Sequence, residues 1–167
     1  MSAVASFYTI RDAALPDLQR AAATPGYFKV KRFLLFKIRG EYHDPFWAFL
    51  TEHGDEQERF SRSGWCLTEL LAVISERAVD ISDYSDERTT NALSGAHGRP
   101  HWAFTSEQAS RFLRAMAPLA LDESHLGSLY PENADGFSPA DIAAAAAVLR
   151  RWLQTVHDGR IGILSVW

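Results

Sequence analysis

The sequence predicts a single α+β domain over residues 1–167, with the first and last strands in the same sheet. Residues 4–10 (VASFYTI) and 161–167 (IGILSVW) are apolar runs rich in β-branched and aromatic side chains, which is typical of buried strands. Capped amphipathic helices fill the sequence between them, without the strict strand–helix alternation of a parallel α/β fold. We therefore expect a mixed or mostly antiparallel sheet packed by roughly four to six helices.

Composition narrows the class of protein. The formal net charge is −4, which argues against non-specific binding to nucleic acid. Cys66 is the only cysteine, which excludes an internal disulfide and a cysteine-based metal cluster. Residues 1–10 lack a signal-peptide pattern, and the longest apolar stretch, residues 142–149, is shorter than the ~20 residues of a membrane span. We expect a cytoplasmic protein without a cofactor, a nucleic-acid partner or a membrane contact, and its oligomeric state stays open.

The N-terminal part of the chain carries clear helix and strand signals. A short helix is predicted from Asp12 to about Ala23, and residues 24–26 (TPG) end it. Residues 27–39 alternate between a mostly apolar and a mostly basic set of side chains. This period of two predicts a half-buried strand, interrupted near Arg32.

A second helix is predicted to begin at Asp44 and Pro45. An Asp side chain accepts a hydrogen bond from the first turn of a helix, and proline fits its first position. Gly54 is expected to end this helix. Residues 41–44 (EYHD) offer three potential ligands or acid–base groups. We interpret them as a polar turn rather than a site, because Asp44 already serves as the cap.

The middle of the chain changes from apolar to polar. Residues 67–78 have apolar side chains at three- and four-residue steps and predict an amphipathic helix. Residues 79–81 predict a brief strand. Residues 82–100 are polar, and we expect a long loop there with one or two helical turns after Ser85. Structureless loops of this length are uncommon in compact domains and often carry function.

The C-terminal third is predicted to be mostly helical before the final strand. Thr105 and Gln108 have the spacing of a capping box. Asp122 is expected to cap a short turn. Ser138 and Pro139 are expected to open the last and longest helix.

Sequence motifs of high specificity for an enzyme are absent. The chain has no Walker A loop, no GxGxxG after a strand, no GxSxG elbow, no HExxH and no EF-hand loop. Any hypothesis of catalysis must therefore rest on single residues.

The residue most suited to catalysis is Cys66. It lies at the start of a predicted helix, where the positive end of the helix dipole stabilises a thiolate. A thiol hydrolase would pair this thiolate with a histidine, and His101 is the partner we select, with His97 and His43 as alternatives. The other interpretation is a buried Cys66 that packs as a small hydrophobe beside Trp65.

Residues 97–102 (HGRPHW) form a second candidate site. His, Arg and Trp side chains on a loop suit the binding of an anion or a ring, whereas the alternative is a surface loop anchored by its tryptophan. No metal site is predicted, because the two histidines lack a convincing third ligand. The predicted binding residues are Trp65, His97, Arg99, His101, Trp102 and Tyr130.

Several stretches of the C-terminal part follow a recognisable pattern. These are residues 101–108 (HWAFTSEQ), 129–131 (LYP) and 137–141 (FSPAD), followed by a helix and a final apolar strand. In this pattern the chain resembles the YfbM-like family of small, uncharacterised bacterial proteins. The resemblance implies a compact α+β fold and no established activity.

Three functions stay open from the sequence. The favoured one is a bacterial binding domain that recognises a protein partner, of an immunity or regulatory type, without catalysis. The missing catalytic motifs, the richness in aromatic residues and the long polar segment favour it. The alternatives are a thiol hydrolase using Cys66 with a histidine, and a small-ligand pocket lined by Trp65, His101, Trp102 and Tyr130.

Overall fold

The computed structural model describes residues 3–33, 36–129 and 137–167. In these ranges the chain forms six strands, seven α-helices and two short 3-10 turns. The strands are β1 (Ala5–Arg11), β2 (Tyr27–Phe33), β3 (Phe36–His43), β4 (Asp55–Glu56), β5 (His101–Thr105) and β6 (Arg160–Val166). The helices are α1 (Leu15–Ala23), α2 (Pro45–His53), α3 (Trp65–Ser75), α4 (Glu87–His97), α5 (Ser106–Met116), α6 (Glu123–Leu129) and α7 (Pro139–Gln154).

Four strands form one antiparallel sheet in the order β4–β1–β6–β5. β1 pairs with β6 along its whole length, beginning with Ala5 opposite Val166. β5 pairs with the other side of β6, where His101 lies opposite Ser165. The predicted α+β class, with the first and last strands in one sheet, is confirmed.

This sheet is buried on both faces, which explains why its strands are apolar at successive positions. Phe7 and Leu164 pack into one hydrophobic core, and Tyr8 and Ile163 pack into the other. Helices α3, α5, α6 and α7 contribute side chains to the first core, and α1, α2 and α4 contribute to the second. The architecture is therefore three layers, with helices on each side of the sheet.

Gly162 allows the first core to close over β6. A Cβ atom at this position would lie 2.5 Å from Phe7 Cζ and 2.6 Å from Val156 Cγ2. The Phe7 ring instead stacks on the buried Trp152 ring, with centroids 5.7 Å apart. The close approach of these side chains requires a glycine here.

Three predicted helix starts are confirmed by their hydrogen bonds. The side chain of Asp44 accepts a hydrogen bond from the first turn of α2. Thr105 with Gln108, and Ser138 with Asp141, form reciprocal capping boxes at the starts of α5 and α7. These local signals place the ends of the helices that hold the sheet.

The polar segment that was predicted as a long loop is mostly the helix α4. Its start is capped by Asp86, whose side chain accepts from Thr89, and it ends at Gly98, which has a φ of 70°. The only buried residues of α4 are Thr89 and Leu93. The helix therefore lacks the apolar periodicity by which we recognise helices in a sequence.

Other boundaries also differ from the prediction. No strand forms at residues 79–81, where a 3-10 turn begins at Ile81, and residues 101–105 form a strand that was not predicted. The alternating segment is a hairpin of β2 and β3 in a sheet of its own. Phe28 lies on the face that was expected to be buried, yet it is 40% exposed.

We predict that Gly162→Ala destabilises the protein by about 1–3 kcal/mol, because the added methyl group overpacks the core against Phe7 and Val156. Chemical denaturation measures the change. Gly95→Ala is the matched control, since Gly95 lies in α4 with open space around its Cα. It is expected to stabilise the protein by up to about 1 kcal/mol. Equal effects of the two variants would contradict the packing role of Gly162.

Candidate functional site

A tryptophan-rich surface lies at the end of β6, beside β5 and the first turns of α2 and α3. We define the Trp167 surface as Trp47, Trp65, Arg99, Trp102 and Trp167. Trp65 and Trp167 are 47% and 44% exposed, although large apolar side chains are usually buried. Three grooves meet at Trp167.

The first groove, which we name the apolar groove, has a volume of about 590 Å³. Trp65, Trp102 and Trp167 line it together with Arg99 and Pro100. Its volume falls in the range of roughly 300–1,000 Å³ that is usual for ligand sites. The start of α3 and the segment that follows α4 therefore meet in one concave site.

The second groove, which we name the charged groove, has a volume of about 520 Å³. Its lining includes Asp44, Glu52 and Arg99, and the rings of Trp47 and Trp167. It thus combines two carboxylates and one guanidinium with aromatic faces that include those of two tryptophans. Such a lining can contact both charges of a polar partner segment.

The third groove is smaller, with a volume of about 320 Å³, and its lining includes Ser6, Tyr8 and Glu56. Trp47 and Trp167 also line it, and their ring centroids lie 5.1 Å apart. The hydroxyl oxygen of Ser6 is buried and has no hydrogen-bond partner among the residues that the structure describes.

Arg99 lines both the apolar groove and the charged groove. Its guanidinium carbon lies 5.5 Å from the centre of the Trp167 ring, which is within the range of a cation–π interaction. Within the described ranges of the chain, Arg99 forms no ion pair. Its exposed charge can therefore bind an anionic group.

Behind these grooves, four side chains form a continuous hydrogen-bonded series that we name the buried chain. Asp44 Oδ2 lies 3.1 Å from His97 Nε2, and His97 Nδ1 lies 2.8 Å from His101 Nε2. At the far end, His101 Nδ1 lies 2.8 Å from Ser165 Oγ. His101 and Ser165 are 1% and 0% exposed, whereas Asp44 reaches the wall of the charged groove.

The backbone places each member of the buried chain. His97 is the last residue of α4, and His101 is the first residue of β5. Ser94 fixes the backbone of His101, because its hydroxyl donates to His101 O at 3.1 Å and accepts from His101 N at 3.0 Å. The Phe46 ring packs against both imidazoles, with centroid distances of 4.5 and 4.7 Å.

The carboxylate of Asp44 sets the direction of these hydrogen bonds, because a carboxylate only accepts. When His97 is neutral, its one ring proton is then on Nε2, so its Nδ1 accepts from His101 Nε2. His101 Nδ1 in turn accepts the hydroxyl proton of Ser165. Both imidazoles are neutral in this arrangement, and every donor points towards Asp44.

Burial, with smaller electrostatic contributions from His97 and Arg99, lowers the pKa of His101 to about 3, while Asp44 opposes the lowering. The bond between the two imidazoles gives a further reason. An N···N hydrogen bond needs one nitrogen without a proton, so the two histidines cannot both be cationic while it persists. His101 is therefore held neutral at physiological pH.

The buried chain is not arranged as a metal site. The two ring nitrogens of His97 bond to Asp44 on one side and to His101 on the other, so the three side chains do not converge on one point. The described residues contain no group of three or more His, Cys, Asp or Glu that could hold a metal ion.

The structure distributes the predicted site residues over two layers. Three of the predicted binding residues line the apolar groove: Trp65, Arg99 and Trp102. His97 and His101 lie in the buried chain behind them. Tyr130 lies outside the described residues.

The predicted catalytic pair, Cys66 with His101, is not assembled. Cys66 is 1% exposed, and burial raises the pKa of its thiol, an effect that Arg62 only partly opposes. Both ring nitrogens of His101 are engaged by His97 and Ser165. This geometry favours the interpretation of Cys66 as a buried core residue.

Three contributors escaped the sequence analysis. Trp47 and Trp167 were assigned only to a helix and a strand, and Ser165 lies within residues 161–167, which were interpreted only as a buried strand. The polar side chain within that run was the one signal for Ser165, because a buried serine needs a hydrogen-bond partner.

Comparison with protein-family models, curated proteins and solved structures finds no match for this chain. The resemblance to the YfbM-like family therefore stays a prediction. Among the described helices, none has the length and apolar character needed to cross a membrane.

We predict that His101 makes the protein less stable in mild acid. An unfolded histidine takes up a proton below about pH 6.5, whereas His101 in the folded state stays neutral down to about pH 3. The unfolded state therefore binds more protons between these values, and stability falls as the pH falls. The expected contribution approaches about 1.4 kcal/mol per pH unit between pH 6 and 5, measured by urea unfolding.

The His101→Gln variant tests this slope, because glutamine can hydrogen-bond but does not titrate. Its unfolding free energy should vary less with pH than that of the unaltered protein. His125→Gln, at an exposed position, is the control and should keep the original slope. An unchanged slope in His101→Gln would show that this residue is not held neutral by the fold.

Proposed function

We propose that this protein is a binding domain that recognises a protein partner through the Trp167 surface and does not act as an enzyme. The observation that carries this proposal is the exposure of Trp65 and Trp167 beside Arg99, around a groove of about 590 Å³. Tryptophan and arginine are among the residue types enriched at the energetic centres of protein interfaces.

The apolar part of the surface favours a partner with a large apolar side chain. Exposed apolar patches bounded by polar groups are typical of interaction sites. Trp65 is in α3, Trp102 is in β5 and Trp167 follows β6, so a side chain inserted between them would contact three separate parts of the fold. Such an anchor loses its contact with water on insertion, which is the main source of affinity.

The charge of Arg99 favours an acidic group next to that anchor. Arg99 lies at the boundary of the two larger grooves and forms no ion pair within the described part of the chain. A guanidinium binds a carboxylate through paired hydrogen bonds. The preferred partner segment is therefore an aromatic or aliphatic residue adjacent to Asp or Glu, in a protein of a regulatory or immunity pair.

A cytoplasmic location suits this role. Cys66 is a free, buried thiol, and free thiols are usual in reducing compartments. The net charge of −4 does not favour nucleic acid as the partner.

A small ligand in the apolar groove is the second candidate function. Its volume of about 590 Å³ is large enough for a ring system, and Arg99 would bind an attached anionic group. The thiol-hydrolase alternative has less support, because burial raises the pKa of Cys66.

We predict that selection from a phage-displayed library of random dodecapeptides enriches peptides with Asp or Glu beside an aromatic or aliphatic residue. Binding of a selected peptide, measured by fluorescence polarisation, should weaken about tenfold or more in Arg99→Glu and in Trp65→Ser. The cause is the loss of the ion pair in one variant and of a groove wall in the other.

Two controls match these variants in chemistry and exposure. Arg114→Glu reverses an exposed charge on α5, and Tyr27→Ser removes an exposed ring on the hairpin; both positions lie outside the three grooves. Neither should change affinity. Selection without enrichment, or binding that survives both groove variants, would overturn the proposal. Saturable binding of indole-3-acetate in the absence of peptide enrichment would favour the small-ligand candidate instead.

A further inference from the structure

We propose that Asp44, His97, His101 and Ser165 are positioning residues of the Trp167 surface, joined in a series whose direction is set by the charge of Asp44. This inference deepens the proposed function. It rests on that function only where it concerns the binding of a partner.

The sequence places a residue of the Trp167 surface shortly after each member of the buried chain. In order, Trp47 follows Asp44, Arg99 follows His97, Trp102 follows His101 and Trp167 follows Ser165. The members come from the start of α2, the end of α4, the start of β5 and the end of β6. The buried chain therefore ties together the four backbone segments that carry four of the five surface residues.

Hydrogen bonds among buried groups give this connection its precision. His101 and Ser165 are 1% and 0% exposed, so water cannot replace a partner that moves away. A buried polar group without a partner is strongly disfavoured, and linked groups strengthen one another. Displacement of any one segment would leave polar atoms of its neighbours unsatisfied, so the four segments keep one relative position.

Asp44 has two separate functions that a conservative substitution can distinguish. Its Oδ1 caps α2 at 3.0 Å from Phe46 N, and its Oδ2 accepts from His97. In Asp44→Asn, the amide oxygen can still cap the helix, which leaves the amide N–H group facing His97 Nε2. That nitrogen must then accept. His97 donates from Nδ1 to His101 Nε2, and His101 donates from Nδ1 to Ser165.

The far end of the buried chain can accommodate this reversal. Ser6 lies opposite Ser165 in the register of β1 and β6. The hydroxyl oxygen of Ser6 is buried and has no hydrogen-bond partner among the described residues. The two hydroxyl groups form no hydrogen bond in the unaltered protein, so the reversal requires a rotamer change at Ser6 or Ser165 that brings them together.

Long-range ¹H–¹⁵N correlation spectra of the imidazoles test the direction of the series. In the unaltered protein the protons of His97 and His101 should be on Nε2, and in Asp44→Asn they should be on Nδ1 in both residues. A polar group with a purely structural role would not change the tautomer of His101, which Asp44 does not touch. His101 retaining its tautomer in a folded Asp44→Asn protein would overturn the inference.

A second variant tests the positioning of the surface. His97→Leu removes the centre of the buried chain, and we expect the indole N–H resonances of Trp47, Trp102 and Trp167 to shift. Trp152, whose Nε1 donates to Glu58 O in the other core, should not respond. Asp44→Asn retains the hydrogen bonds and should leave the indole resonances nearly unchanged. Unchanged indole resonances in His97→Leu would also overturn the inference.

Binding of a selected peptide distinguishes this inference from the proposed function. Affinity should fall about tenfold or more in His97→Leu, whereas Arg114→Glu is the control that should leave it unchanged. If no peptide is selected but the tautomers reverse and the indoles shift, the proposed function fails and the positioning role stands. If peptides bind equally to all variants, the positioning role fails and the proposed function stands.

Discussion

A hydrogen bond of 2.8 Å between His97 Nδ1 and His101 Nε2 joins the end of α4 to the start of β5. Asp44 extends this contact to the start of α2, and Ser165 extends it to β6. The contacts of His97 with Asp44 and of His101 with Ser165 depend on this bond. In a neutral imidazole only one nitrogen donates, so the role of one nitrogen in the central bond sets the role of the other nitrogen of the same ring. Through Ser165 this bond connects to the end of β6, where two backbone hydrogen bonds with Val4 also hold Trp167.

The surroundings of the buried chain explain why it can define a geometry. It lies on the face of the sheet that packs against α1, α2 and α4, among apolar side chains such as Phe46. In such surroundings a polar side chain has few alternative partners. The opposite face of the sheet is held by close packing, where the ring of Phe7 lies next to Gly162. One face of the sheet is thus held by apolar packing, and the other face also contains the buried chain. The exposed tryptophans lie at the end of the buried chain.

Signals that act over a few residues were predictable from the sequence, as the caps at Asp44, Thr105 and Ser138 show. The helix α4 was not, because its few buried side chains leave no apolar period. The buried chain could not be predicted, because its bonds join residues 53, 4 and 64 positions apart. Only the pairing of β5 with β6 brings His101 opposite Ser165, and β5 was itself missed.

The exposed part of the site was predictable only as residue types. A loop with His, Arg and Trp suggested binding, yet its two histidines are turned inwards, whereas its arginine and tryptophan line the apolar groove.

The most direct test of the direction of the buried chain is the imidazole ¹H–¹⁵N spectrum of the unaltered protein near pH 7. We expect His97 and His101 both to be neutral, each with its proton on Nε2. A proton on Nδ1 of either residue, or a cationic His101, would contradict this expectation.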